Sequence, residues 1–166
     1  FAGCQDIEKD SLDLQARGSV RPDQEAWNVT KEVTRNGRRR ASIQAPHLAK
    51  YDRERISRLD GGVSVTFFGF GVSDTVSELT SRKAEIDEGR RILTAIENVV
   101  LVSNRGSTLY TDTLRWEEET EIIQGPARVR IEGDRGTETG IGFEAKSDLS
   151  TWTLRQVVTQ IKPFSN

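Results

Sequence analysis

The feature that most constrains this chain is a recurrence of strand, acidic turn and strand at a spacing of about 30 residues. Ala45-Pro46-His47-Leu48-Ala49-Lys50-Tyr51-Asp52 leads to Gly62-Val63-Ser64-Val65. Leu79-Thr80-Ser81-Arg82-Lys83-Ala84-Glu85-Ile86-Asp87 leads to Glu97-Asn98-Val99-Val100. Leu109 to Glu117 leads to Gly125-Pro126-Ala127-Arg128-Val129, and Gly142 to Leu149 leads to a final strand. A hairpin of this size cannot bury an apolar face by itself, so successive units have to stack on one another. The recurrence therefore predicts one all-β body of antiparallel strands built from repeated hairpins.

Within this frame the strands are read from period-two alternation and the turns from glycine and asparagine. Trp27 to Thr34 alternates and is followed by Asn36-Gly37, whose two positions tolerate the positive φ of a tight hairpin. The return strand, from Arg39 to about Ala45, puts Ala41, Ile43 and Ala45 on one face. Gly61-Gly62 opens a strand with Val63, Val65 and Phe67 on one side and Ser64 and Thr66 on the other. Further turns are expected at Asn104-Arg105-Gly106, Gly125-Pro126 and Gly133-Asp134-Arg135-Gly136. Ser81 to Arg91 has the Glu and Lys content of a helix, but its neighbours and the recurrence favour strand–turn–strand. A last strand runs from about Trp152 to Ile161, and Pro163 ends its ladder.

Apolar residues are 34% and charged residues 30% of the chain, as suits strands that are wet on one face. Basic and acidic side chains nearly balance, 24 against 26, which excludes the one-sided basic surface of a nucleic-acid binder. No apolar run reaches the length of a membrane-spanning helix. The single cysteine, Cys4, follows Phe1-Ala2-Gly3. Small residues before a cysteine mark a bacterial lipoprotein processing site, after which the cysteine carries lipid; the plain alternative is an ordinary residue near a chain end. Phe1 stands where leucine is usual. Residues 1–25 then read as lipidation site and polar tether, reaching roughly 25 Å if flexible, and residues 26–166 as the domain. Export across the inner membrane and a lipid anchor to a membrane follow from that reading.

No catalytic set emerges, and no cofactor or metal is expected. His47 is the only histidine and lies beside Pro46 in a strand, where a structural role outweighs that of a base or ligand. Asp52, Asp87 and Glu117 to Glu119 fall at turns, where solvation explains them, although a carboxylate pair is formally open to glycosidase chemistry. No nucleophile elbow or phosphate loop is present, and Gly140-Ile141-Gly142 lacks the following glycine of a nucleotide turn. Two oddities remain. Arg35, Arg38, Arg39 and Arg40 bracket the Asn36-Gly37 turn, as either a solvated turn or a phosphate contact. In Phe67-Phe68-Gly69-Phe70-Gly71 successive aromatics should face opposite sides, so Phe68 or Phe70 is either an exposed contact or covered by a loop.

Leu109 to Phe143 carries a resemblance. Its segments Leu-Tyr-Thr-Asp-Thr-Leu-Arg-Trp, Gln-Gly-Pro-Ala-Arg-Val-Arg-Ile and Gly-Ile-Gly-Phe-Glu-Ala resemble, in that order, the repeat of the lipopolysaccharide-export proteins. Among these, a single domain of this length behind a membrane anchor looks most like LptC. The resemblance spans roughly Trp27 to Ile161, and departs from the many members that use a transmembrane helix in place of a lipidated cysteine. It implies a twisted open β-jelly-roll without enzymatic activity. Such a domain takes lipopolysaccharide from the periplasmic domains of an inner-membrane ABC transporter and passes it to an LptA-like bridge protein. It would be lipid-anchored on the periplasmic side of the inner membrane. Ile43, Val63, Val65, Phe67, Leu79, Val99, Leu101, Leu114, Val129 and Ile131 are then expected to line a slot for acyl chains; the pattern alone favours the core of a plain sandwich, and the resemblance reverses that order. Gly125 and, on the last strand, Leu154, Gln156 and Val158 are the expected partner contacts. The alternative is a lipid-anchored β-sandwich binding or assembly lipoprotein with no lipid cargo.

Overall fold

The computed structural model describes residues 20–69 and 74–162. Cys4, the tether before residue 20 and Phe70 lie outside them. Eleven strands form one antiparallel sheet: β1 (Gln24–Arg35), β2 (Arg38–Tyr51), β3 (Ile56–Asp60), β4 (Val63–Phe68), β5 (Thr75–Ser81), β6 (Lys83–Asp87), β7 (Ile92–Ser103), β8 (Thr108–Glu117), β9 (Ile122–Gly133), β10 (Gly136–Lys146) and β11 (Trp152–Ile161). The order follows the chain almost throughout, from β1 through β2 and on to β7, β8, β9, β10 and β11 at the far edge. Between β2 and β7 the ladder is split. β2 gives Ala41 to Gln44 to β4 and His47 to Tyr51 to β3, while β7 pairs with β6 through Ile92 to Ile96 and with β5 through Val100 to Ser103. Ser81 to Arg91 is the strand–turn–strand that the recurrence predicts, and the described residues contain no helix.

The split continues as a seam across the whole sheet. Asn28 and Pro46, opposite one another, are left out of the β1–β2 pairing, and Asn28 has φ 52°. The Gly61-Gly62 pair, at φ 85° and 103°, separates β3 from β4, and the Gly62 N–H donates to the Arg82 carbonyl. Arg82 donates in turn to the carbonyl of Glu97, and Glu97 and Asn98 are left-handed in a β7 bulge. The register then slips between Thr111 and Arg115 on β8, and between Ile141 and Phe143 where β10 meets β9. Each bulge adds bend and twist, and a line of them folds a sheet over on itself. The result is two layers. The first holds residues 29–35, 38–45, 63–68, 75–81, 99–103, 108–111, 128–133, 136–141 and 156–161. The second holds the shorter strand ends on the other side of the seam.

Gly125-Pro126 is therefore not a turn. Both residues lie inside β9, and Gly125 is the strand's fourth residue, paired with Phe143. A Gly-Pro pair reads locally as a chain reversal, but here it turns the corner while the strand continues. Pro126, like Pro46 on β2, sits where the ladder is already interrupted, so its missing N–H costs no sheet bond. The second layer's turns repeat one geometry. Arg55, Arg91, Glu121 and Leu149, about 30 residues apart, each close a turn with positive φ. Neighbouring turns stack, with the Glu88 N–H donating to the Arg55 carbonyl at 2.9 Å and the Glu118 N–H to the Arg91 carbonyl at 3.1 Å.

A β-carbon on Gly125 would lie 2.5 Å from the Thr113 carbonyl oxygen and 2.7 Å from Cε1 of Phe143. Backbone and a fully buried ring cannot both retreat. Gly125→Ala should lower stability by about 1–3 kcal/mol, measured by thermal unfolding, whereas Gly37→Ala lacks any such contact and is strained only through its φ of 73°. Equal melting temperatures for Gly125→Ala and the parent would show that the corner can relax.

Candidate functional site

The two layers enclose a single core. All ten residues expected to line a slot are in it: Ile43, Val63, Val65, Phe67, Leu79, Val99, Leu101, Leu114, Val129 and Ile131 are each 0–2% exposed. They are brought together, but they pack against other side chains and not around an open channel. The opposing wall is completed by Leu59, Ile86, Leu93, Trp116, Ile123 and Phe143, which the sequence reading left out. Trp116 was accessible to it, since period two from Leu114 puts Trp116 on the same inward face. Phe67 of β4 and Trp116 of β8 meet edge to face across the interior, with ring centroids 5.1 Å apart.

Opposite the seam the layers' free ends face each other, and this mouth is closed by polar contacts. Lys31 Nζ lies 3.1 Å from Glu88, which also accepts from the Ser57 hydroxyl at 3.1 Å. Arg35 donates to the Glu119 carbonyl, and Arg40 to the Glu121 carboxylate and, at 3.3 Å, to the Gly69 carbonyl. Ser77 donates to the Ser147 carbonyl at 2.6 Å and Ser103 to that of Asp148 at 2.5 Å. The contacts of Lys31, Arg35, Ser77 and Ser103, and that of Arg40 with Glu121, each join a first-layer strand to a second-layer turn. Two clefts open along this line. One of about 260 Å³ is lined by Lys31, Val33, Ile43, Ile86, Leu93 and Glu118, so core side chains form part of its wall. The other, of about 540 Å³, includes Arg40, Phe68, Val76, Ile122, Ala145 and Trp152.

The arginine cluster is largely spent on this closure. Arg40 is 5% exposed, and Arg39 stacks 4.2 Å from the centre of Phe68 and lies 3.8 Å from Glu32, leaving Arg38 at the exposed turn. Phe68 is itself buried, because a register shift between Phe67 and Phe68 turns both rings away from water. His47 sits outside the site, with Nδ1 3.1 Å from Asp60 and Nε2 3.1 Å from Glu25. Those two hydrogen bonds, Asp60's first, raise its pKa above 6.5. Among the described residues no cluster of histidine, cysteine and carboxylates could hold a metal, and no helix is long and apolar enough to cross a membrane.

The expected docking strand is present with the expected ends. β11 pairs only with β10 among the described residues, from Trp152 to Ile161. Its faces differ from simple alternation. The register shifts at Val158, so Leu154 packs on the core while Val157, Val158 and Ile161 are 59%, 47% and 62% exposed. Gln156 is exposed as well. Gly125 is buried at the corner, where it lines a cleft of about 380 Å³ together with Pro126 and the exposed Arg155 of β11.

A model of the family described as lipopolysaccharide-assembly, LptC-related, matches residues 19–162. The chain belongs to that family. The domain is accordingly one of the lipopolysaccharide-transport proteins of the periplasm, and its fold is their β-jelly-roll. Among solved structures, this LptC-related chain is similar to LptH, the LptA-homologous periplasmic component of the lipopolysaccharide transport device of Pseudomonas aeruginosa. The TM-score is 0.56 at 12% identity, covering 70% of this chain and 82% of that one, so the likeness is one of fold. No curated protein matches.

The mouth contacts carry a pH signature. Burial alone would raise the Glu88 carboxyl, but the Lys31 ammonium and the Ser57 hydroxyl outweigh it and hold it below 4.5. Asp148 behaves alike: burial opposes, and the bonds from Ser150 with the Arg105 charge prevail. A depressed native value means that stability is present above the unfolded value and is lost as pH falls through the native one. Glu88→Gln should therefore melt below the parent at neutral pH, and the gap should close on acidification below 4.5. A gap independent of pH would remove Glu88 from the closure.

Proposed function

We propose that this chain accepts lipopolysaccharide from an inner-membrane ABC transporter, holds its acyl chains between the two layers, and passes it to an LptA-like bridge protein. Lipid on Cys4 would tether it to the periplasmic side of the inner membrane. The observation that carries this reading is a core of apolar side chains drawn from β2 through β10, with a polar mouth along the layers' free ends. An acyl chain needs little more than that, since each buried methylene contributes about 0.8 kcal/mol. The sheet's order supports a hand-off, because β1 and β11 are its two edges and an unpaired edge invites a strand from a partner. No step requires a cofactor or a catalytic group. The alternative, an assembly lipoprotein without cargo, draws on the full burial of the ten interior residues, which is also what a plain core shows.

Two experiments separate the readings. A photo-crosslinker at Val65 should capture lipopolysaccharide in cells, and Val65→Arg should lose capture at other interior positions while the β-sheet circular dichroism persists. An arginine there is costly, by several kcal/mol unless it reaches water, so folding is checked first. Absence of lipid adducts from Val65 in a folded, complemented strain would favour the cargo-free reading. For the hand-off, Gln156→Pro and Val158→Pro place a blocked donor at two points of β11. At least one should weaken binding of the soluble domain to the bridge protein by tenfold or more, about 1.4 kcal/mol, at an unchanged melting temperature. Parent-like binding by both folded variants would move the docking surface elsewhere.

A further inference from the structure

Among the described residues, one buried side-chain polar atom lacks a hydrogen-bond partner. Trp116 is 2% exposed, and its indole Nε1 has no hydrogen-bond acceptor among the described residues. The contrast with the rest of the molecule is consistent. All seven buried polar or charged residues, Arg40, Ser42, Ser57, Ser77, Ser81, Ser103 and Thr111, have a hydrogen-bond partner. Trp152 donates its indole N–H to Glu138 at 2.9 Å, and Trp27 is 66% exposed to water. A buried N–H that has given up water for nothing is a standing cost, which a phenylalanine at the same place would avoid.

Its position says what it could serve. Trp116 is next to the last residue of β8, paired with Leu93 on one side and Ile123 on the other. Phe67, against which it packs, is paired with Ala41. Arg40, the neighbour of Ala41, closes the mouth on Glu121, just before β9. Through Phe67 and Ala41 the indole thus lies close behind the mouth's ion pair, among the apolar side chains of the core. An amphiphile entering with its tail inward and its head at the mouth would bring the linkage between them to this level.

We propose that the Trp116 indole N–H is a specificity-determining donor, which binds the carbonyl oxygen of an ester- or amide-linked acyl chain when the layers admit one. This rests on the cargo reading above and adds to it a chemical preference. The interior would discriminate acyl chains from plain alkyl chains of equal length, because only the former satisfies the orphan donor. A site built around an unpaired polar group selects for the ligand that completes it.

The test uses two lipids that differ at one carbonyl, lauroyl lysophosphatidylcholine and its ether-linked dodecyl counterpart, each below its micellar concentration. The parent should bind the ester form about tenfold more tightly, which is about 1.4 kcal/mol. Trp116→Phe should bind both forms alike, at the parent's affinity for the ether. In the parent, the Trp116 indole proton, assigned by its loss in Trp116→Phe, should move downfield in the NMR spectrum with the ester and stay in place with the ether. The indole resonance gives the answer on the parent even if Trp116→Phe proves unstable. Binding of both lipids without preference, or a preference that survives Trp116→Phe, overturns the donor's role and leaves the cargo reading standing. Failure of the parent to bind either lipid overturns the cargo reading, and this inference with it.

Discussion

A flat sheet of these eleven strands would leave its apolar face in water, so everything in the structure depends on the seam where the sheet folds. Along that line one or two residues in or between the strands step out of the ladder: Asn28, Pro46, Gly61 and Gly62, Arg82, Glu97 and Asn98, then Pro126 and Ala127, Gly142 and Arg155. The backbone bonds lost there are few, and some are recovered across the break, from Gly62 to Arg82 and from Arg82 to Glu97. The return is a buried interior contributed by β2 through β10. Gly125 shows how tight the corner is, because the space for its β-carbon is already filled by a carbonyl and a phenyl ring.

Folding along one edge leaves the opposite edge open, and the closure there has a different chemistry. It consists of ion pairs and serine hydroxyls on carbonyls, which are individually weak where exposed and exchange readily with water. The corner is made of backbone and packed rings, which do not. A molecule with a stiff hinge line on one side and a polar, separable mouth on the other is suited to admitting something between its layers. The aromatic pair Phe67 and Trp116, just inside the mouth, stands between that closure and the rest of the apolar core.

The sequence showed one layer much better than the other. Nine of the ten residues expected inside lie in the first layer, where Ile43, Val63, Val65, Phe67, Leu79, Val99, Leu101, Val129 and Ile131 alternate over long strands. Only Leu114 came from the second layer. There the strands are cut to a few residues by the seam, and each slip resets the alternation, so Leu59, Ile86, Leu93 and Ile123 give no sustained period. The seam also explains the misreading of Gly125-Pro126, since local turn signals and a strand corner draw on the same residues. The Asn36-Gly37 hairpin, the turns at Asn104 to Gly106 and Gly133 to Gly136, and the span of β11 were legible because each depends on neighbours in sequence. What Arg35, Arg40 and Glu88 do was not, because their partners Glu119, Glu121 and Lys31 come from distant strands and turns.

The central claim is that the mouth parts to let acyl chains between the layers, while the corner holds. Arg38 and Thr120 are exposed and lie on the two sides of that mouth, beside the Arg40 and Glu121 contact. Spin labels at these two positions report the separation of the layers by electron–electron double resonance. Adding lipopolysaccharide should lengthen and broaden the distance distribution, and a label pair placed across the seam, at Ser64 and Arg82, should not change. An unchanged mouth distance in a sample with lipopolysaccharide bound would contradict the account.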